Sequence, residues 1–384
     1  MRILGIVAEY NPFHKGHLYH LKQAQELIKP EVTIVVMSGS FVQRGEAAIV
    51  DKWIRSQIAV EYGVDLVVEL PTVYTLESAD YFAKSSIALL HLLGVTDIVF
   101  GSETGNIQQF NDIAHTIQNH NEEYNTLVKE AMQKGLRYPD ACNQALSTLM
   151  HKEVRTPNDL LALAYTKEVV FNNYPIHLHA IKRTSDYHSE TIETFASATA
   201  LRKALREKKD VSSQLPGYIY YKDKILLDMD AFFPYLKYNI LMNDQLANIH
   251  LVDEGIENLL KESIQKAKTI NELIDLLSSK RYYTRARIAR MLSHILLNNT
   301  KDEVIKAMNF SQIRPLAFSQ NGANYLRQIK KSCPLPITTK ILNKKDPMYH
   351  IEAKATSLIG LVDPELIVKE KKSIPYIKRT HELI

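Results

Sequence analysis

The chain has 384 residues, 45% of them hydrophobic and 23% charged, an ordinary soluble composition with enough apolar material for two or three domains with cores of their own. Its two cysteines, Cys142 and Cys333, lie far apart and form no CxxC pair, which excludes a disulfide framework and a thiolate zinc site and points to a reducing compartment. No stretch approaches the roughly 18 to 20 apolar residues that span a bilayer, and the first apolar run reaches Glu9 and Asn11 without a cleavage-site pattern, so a cytoplasmic protein without membrane contact is expected.

In chain order, RILGIVAEY reads as a strand and LYHLKQAQELI as a helix; VTIVVMSG as a strand and DKWIRSQIAVEYG as a helix; DLVVELP as a strand followed by a helix through SSIALLHLLG. DIVFGS and IHLHAIKR are further strands, and SATALRKAL is a helix. Apolar strands separated by helices predict a parallel sheet covered on both faces, a doubly wound, Rossmann-like α/β domain. Charge followed by Ser, Pro and Gly in REKKDVSSQLPG, Arg206 to Gly217, marks a linker. The expected domains are therefore 1–205, catalytic, and 206–384, mainly helical, as in IENLLKESIQKAKTINELIDLL and RARIARMLSHILLNN. No internal repeat or low-complexity segment interrupts either.

The overall charge of +4 divides unevenly across that boundary. Residues 1–205 carry 18 Lys+Arg against 23 Asp+Glu, a net −5, whereas residues 206–384 carry 29 against 20, a net +9. A positive field confined to one half is what a phosphate-rich partner selects, although a basic surface alone is a weak sign of nucleic acid.

The stretch EYNPFHKGHLYHL, Glu9 to Leu21, places His14, His17 and His20 directly after the first strand. In an open parallel sheet that loop opens onto the ligand crevice and feeds a helix N-terminus, which favours anions. Asn11-Pro12 turns the chain, Gly16 allows close backbone approach, and His14 and His17 can project toward one point. Three readings follow from the residues alone: helix-capping or solvated histidines, a metal site, or phosphate binding. A metal would need further ligands such as the His177–His179 pair and His188, and no carboxylate or thiolate cluster accompanies them, so no metal site is expected.

HKGH resembles the HxGH motif of the adenylyl-transferring nucleotidyltransferases, and SATALR, Ser197 to Arg202, resembles their S-x-T-x-x-R motif at the start of a late helix. The KMSKS-type loop of class I aminoacyl-tRNA synthetases, which share HxGH, is absent. With SGSFVQRGEAAIVDKWIR, DLVVELP, FGSE, TPNDLLALAY and IKRTSDYH, the first 205 residues closely resemble the bacterial tRNA(Met) cytidine acetate ligases; the remainder is similar mainly in length, helicity and charge. The resemblance implies ATP, expected with Mg2+, as co-substrate, acetate as acyl donor, and elongator tRNA(Met), acetylated at N4 of its wobble cytidine, as acceptor. No obligate protein partner is expected.

It also implies roles for residues. His14 and His17 are the catalytic pair. ATP is placed on Val7, Ala8, Glu9, Tyr10, Asn11, Pro12, Phe13, His14, Lys15, Gly16, His17, Leu18, Tyr19 and His20, with Gly101, Asn158, Arg183, Ser197, Thr199 and Arg202. Gln43 and Arg44, after the second strand, are expected near acetate or cytidine. Gly101 also reads as a plain turn glycine, Asn158 as a helix cap, Arg183 as a surface ion pair and the Ser197–Thr199 pair as an ordinary helix start. In RYYTRARIAR, Arg281, Arg285, Arg287 and Arg290 alternate with tyrosines over an apolar stripe of Ile288, Met291, Leu292 and Ile295, so an amphipathic helix with an arginine-rich outer face is expected to hold tRNA. LNKKDP and the late KRT are weaker candidates. Two alternatives remain: an adenylyltransferase for a small phosphorylated metabolite, against which the basic extension speaks, and an inactive RNA-binding protein, against which both intact motifs speak.

Overall fold

The computed structural model describes residues 1–152, 156–183, 196–280, 283–340, 345–372 and 374–379. Seven strands form one sheet: β1 (Ile3–Ala8), β2 (Val32–Ser38), β5 (Leu66–Leu70), β6 (Asp97–Ser102), β7 (His177–Lys182), β8 (Pro315–Ser319) and β9 (Tyr376–Lys378). A separate hairpin, β3 (Phe41–Val42) and β4 (Glu46–Ala47), follows β2. The sheet order is β7-β6-β1-β2-β5-β8-β9. The five strands from β7 to β5 run parallel, Ile3 pairing with Val32, Ile34 with Leu66 and Asp97 with His177. Every residue of β2 and β5 is buried, as continuous Val/Ile/Leu runs require when helices cover both faces. The expected doubly wound α/β fold is present.

β8 and β9 were not expected. β8 pairs antiparallel with β5, Leu66 opposite Phe318, and β9 extends the sheet parallel to β8. The second half is otherwise helical, with helices Phe233–Met242, Ile256–Lys266, Ile270–Ser278 and Arg285–Leu297 packed on one another around Leu236, Leu260, Leu273 and Leu292. A cut at residue 205 therefore runs through a sheet that both halves build. The segment read as a linker is also anchored: Val211 and Leu215 are buried, and the Gln214 carbonyl accepts from Lys15 N–H at 3.0 Å.

A buried ion cluster joins the halves at the carboxyl end of β5. Lys52 Nζ lies 2.5 Å from Glu69, 2.9 Å from Glu352 and 3.1 Å from Glu370. Arg314 pairs with Glu69 at 3.1 Å and Glu370 at 2.5 Å. Lys52 and Glu69 belong to the first half and the other three to the second. Among the described residues, no helix is long and apolar enough to cross a membrane.

Candidate active site

The crevice opens at the carboxyl ends of β1, β6 and β7, where the chain leaves the sheet and its backbone groups are free for other partners. β1 ends at Ala8, and Glu9 to His14 turn into the helix Lys15–Ile28. This turn is tightly held: the Asn11–Pro12 bond is cis, Tyr10 has φ +47°, Asn11 Oδ1 accepts from Ile49 N–H at 2.8 Å, and Phe13 N–H donates to the Tyr221 hydroxyl at 3.2 Å.

His14 is the N-cap of the helix. Its Nδ1 accepts from Gly16 N–H at 3.0 Å, while His17 Nδ1 accepts from His14 N–H at 3.4 Å, a reciprocal capping box built from two imidazoles. The rings stack with centroids 3.8 Å apart, and Tyr10 meets His17 edge-on at 5.1 Å. The capping and phosphate-binding readings are thus compatible. With each Nδ1 lone pair taken by a backbone donor, a neutral imidazole carries its proton on Nε2, so both rings present N–H donors. Burial, and then the Arg183 charge, lower the His14 pKa to about 4. Burial lowers His17 well below the ordinary value, with His14, His20 and Arg183 adding to the effect and a hydrogen bond to the Pro12 backbone opposing it. His20, one turn on, is lowered to about 4 by burial and Arg183, and its Nε2 is enclosed without a partner.

Arg183 follows β7 directly and lies over Gly101 of β6, where a Cβ would meet Arg183 Cγ at 3.5 Å. Gly101 pairs with Ile181 inside the sheet; it is a strand glycine under the guanidinium rather than a turn glycine. Asn158, in the first turn of helix Pro157–Phe171, donates through Nδ2 to Glu103 Oε1 at 2.5 Å. Thr156 is the N-cap there. Glu103 Oε2 also accepts from Asp159 N–H at 3.1 Å, and Asp159 Oδ1 accepts from Glu103 N–H at 3.0 Å. Glu103 closes FGSE and Asp159 sits in TPND, yet neither was singled out in the sequence, because a reciprocal bond between loops 56 residues apart leaves no local pattern.

Ser197 caps the helix Ala198–Arg206, accepting from Ala200 N–H at 3.2 Å. Arg202 donates to the Asn11 carbonyl at 2.9 Å and to Thr199 Oγ1 at 3.3 Å, and pairs with Glu46 at 3.0 Å. It therefore ties the second motif to the first. Gln43, Arg44 and Gly45 form the β3–β4 turn. Gln43 N–H donates to Glu9 Oε1 at 2.6 Å and its Nε2 to the Glu77 carbonyl at 3.2 Å. Arg55, fully buried, donates to the carbonyls of Glu9 at 2.7 Å, Ser38 at 3.0 Å and Gly39; it lies in the quoted block DKWIR, but a buried arginine in a helix looks like a surface one in sequence.

The helix Arg285–Leu297 differs in part from expectation. Arg285 and Arg287 face outward, paired with Asp275 and Asp253, and Arg287 stacks on Tyr283 at 3.9 Å. Arg290 faces inward instead: it is 7% exposed and donates to the Gln43 carbonyl at 3.1 Å. The cause is the turn lying flat on this helix, with Gly45 at φ +83° and no room for a Cβ, which would fall 2.3 Å from Arg290 N. Arg290 is therefore not part of the outer arginine face. Arg281 and His188 lie outside the described residues.

His179 pairs with Asp97 at 2.9 Å at the amino ends of β6 and β7, the opposite edge from HKGH. Glu77, His250 and His294 bring ligand atoms within 4.8 Å of one another, but His294 has no lone pair to give. The Asn299 amide donates to its Nδ1 at 3.2 Å, with Lys354 3.4 Å from the amide oxygen, so Nε2 carries the proton and donates to the Leu76 carbonyl at 3.2 Å.

A doubly wound sheet with paired imidazoles on the first helix and an arginine from the helix Ala198–Arg206 gripping the same loop defines a nucleotidyl transferase, and the family model described as HIGH Nucleotidyl Transferase matches residues 1–373. The chain is 40% identical to the tRNA(Met) cytidine acetate ligase of Geobacillus sp. (strain WCH70), covering 98% of this chain and 99% of that protein. It is 34% identical to the enzyme of the same name from Bacillus subtilis (strain 168), over 94% and 92% of the two chains. The crystal structure of Thermotoga maritima TmcAL bound with alpha-thio ATP superposes with a TM-score of 0.87 at 30% identity, covering 99% of this chain and 100% of that one. The chain belongs to the tRNA(Met) cytidine acetate ligase family.

Proposed function

We infer that this chain is an ATP-dependent ligase that activates acetate as acetyl-adenylate and transfers the acetyl group to N4 of the wobble cytidine of elongator tRNA(Met), giving N4-acetylcytidine. The observation that carries the reading is the His14–His17 pair, whose Nδ1 atoms are locked on backbone N–H groups so that two neutral Nε2–H donors stand at a helix N-terminus. Acetate oxygen is a poor leaving group, so the acid is first activated by attack on the α-phosphate of ATP, with loss of pyrophosphate. Such a step asks the protein for positioning and for stabilisation of charge developing on phosphate oxygens. The two imidazoles and the helix dipole suit that role, Lys15 adds a cation, and Arg183, Arg202, Ser197 and Thr199 line the path to the β- and γ-phosphates. Gly101, having no side chain, lets Arg183 lie across β6 beside the place expected for adenosine, and Asn158 stands on the same edge.

Gln43 and Arg44 present the crevice to acetate or cytidine, and the basic second half, through Arg285 and Arg287, holds the tRNA backbone. Among the described crevice carboxylates, Glu46, Glu103 and Asp159 are committed to protein donors and Glu9 has one oxygen held by Gln43 N–H, too few open oxygens to build a metal site, so Mg2+ would enter as the counter-ion of the nucleotide phosphates; activation that survives chelation intact would remove it. The defining experiment is mass analysis of tRNA nucleosides after incubation with ATP and labelled acetate. Labelled N4-acetylcytidine is expected, and adenylylation of a small phosphorylated metabolite without tRNA acetylation would sink the reading.

A further inference from the structure

Acetyl transfer leaves a proton to place. The exocyclic amine of cytidine delocalises its lone pair into the ring, so its attack on an acyl carbon is assisted by a proton acceptor within hydrogen-bond reach. Most groups around the crevice cannot serve. His14 and His17 expose Nε2–H donors, their lone pairs being bound to backbone. His20 Nε2 is enclosed. Arg44, Arg183 and Arg202 keep their protons. Glu46 is paired with Arg202, while Glu103 and Asp159 hold each other.

Glu9 is different. It stands one residue beyond β1, half-buried between the HKGH loop and the β3–β4 turn. Its Oε1 is fixed by Gln43 N–H at 2.6 Å, and its backbone carbonyl by Arg55 at 2.7 Å, whereas no described donor reaches Oε2. The Arg290 guanidinium holds the Gln43 carbonyl from behind, so the helical half supports the turn that aims this carboxylate. We propose that Glu9 Oε2 is the general base of the transfer step, which rests on the acetate-ligase reading above. The N4 lone pair forms the C–N bond to the acetyl carbon, the bond between that carbon and the phosphate oxygen breaks with its electron pair leaving on AMP, and the N4 proton passes to Glu9, which returns it to solvent.

Electrostatics agree with this role. Burial raises the Glu9 carboxyl above its ordinary value, opposed by the Gln43 N–H and by Arg44 and Arg55, with Glu46 adding to the rise. Among the described residues, the other charged or titratable groups facing it are Arg202 of the second motif and the Tyr165 hydroxyl.

The test uses the full chain, single-turnover transfer from supplied acetyl-adenylate to tRNA, and a pH series. In the wild type the rate should rise with pH as Glu9 ionises and then level off. Glu9→Gln should slow transfer by roughly 10²- to 10⁴-fold and lose that rise, while Glu9→Asp keeps it; unfolding curves of each variant establish that it is folded. Glu9→Gln transferring at the wild-type rate would overturn the proposal, as would a slow variant that retains the wild-type pH rise, since that is the mark of a structural role only. If the wild type itself cannot use supplied acetyl-adenylate, the ligase reading fails instead.

Discussion

Lys52→Met tests the buried ion cluster that holds the two halves of the chain together. Two cations, Lys52 and Arg314, face three carboxylates, Glu69, Glu352 and Glu370, in a site where Lys52 is 3%, Glu69 2% and Glu352 1% exposed. Removing Lys52 leaves one cation against three acids at contact distance. Breaking a buried network by deleting one partner costs about 3–5 kcal/mol, because the uncompensated charges stay behind. The cost should depend on pH. Burial pushes Glu352 up, but Lys52 and the Thr72 N–H outweigh it and bring the carboxyl to about 2, so its contribution is present above the ordinary carboxylate range and lost as pH falls through about 2. Glu69 is raised to about 7 by burial, against Lys52, and its ionisation therefore costs stability as pH rises through that range. Without Lys52 the acids shift further up, so the destabilisation should grow between pH 5 and pH 8. The single tryptophan, Trp53, lies beside the cluster with Arg314 5.2 Å from its ring, and its fluorescence can follow urea unfolding. Lys52→Met/Glu69→Gln restores the original charge balance and should recover part of the loss. A single variant that costs under about 1 kcal/mol, or equally at both pH values, would refute the reasoning.

Other outcomes follow from the crevice and its surroundings. His14→Ala or His17→Ala should lower acetate-dependent adenylate formation by about 10²- to 10³-fold with folding intact; since both imidazoles titrate well below the usual histidine range, wild-type activation should show no inflection near pH 6.5, and one that disappears in His17→Ala would contradict the neutral-donor assignment. Arg285→Glu/Arg287→Glu should weaken tRNA binding and flatten its salt dependence while adenylate formation without RNA stays near wild type, and unchanged tRNA acetylation would eliminate this face as the RNA contact. Arg290→Glu is expected to lower stability as well, because it places a carboxylate against the Gln43 carbonyl; equal unfolding midpoints for Arg290→Glu and Arg285→Glu would refute that.

Much of the fold was legible because it is periodic. β2 and β5 are unbroken apolar runs, and the loop after β1 announced itself through Asn11-Pro12 and three histidines. The HKGH and SATALR loops meet in the structure through Arg202 and the Asn11 carbonyl. What escaped depends on distant partners. β8 is five residues beginning with proline, and its pairing partner β5 lies some 250 positions earlier in a different sequence neighbourhood. Arg290 shares a helix with two outward arginines, and only the flat approach of Gly45 turns its side of the helix into an interior. Glu9 sits in a motif-rich stretch, where nothing local distinguishes a carboxylate with one bound oxygen from any other.

The antiparallel seam between β5 and β8 also sets a schedule for biosynthesis. Until Pro315–Ser319 emerges, β5, whose residues Leu66–Leu70 are all buried in the finished protein, has an open flank able to pair with another chain. At about 5–20 residues per second, the roughly 245 residues between them keep a nascent chain in that state for something like 12–50 s. A ribosome-released chain ending before Pro315 is expected in the insoluble fraction, and its recovery as a monomer would show that the early strands protect themselves. The ligase thus depends on its last fifth to become safe to handle, and a growing cell must shelter each copy until that part arrives.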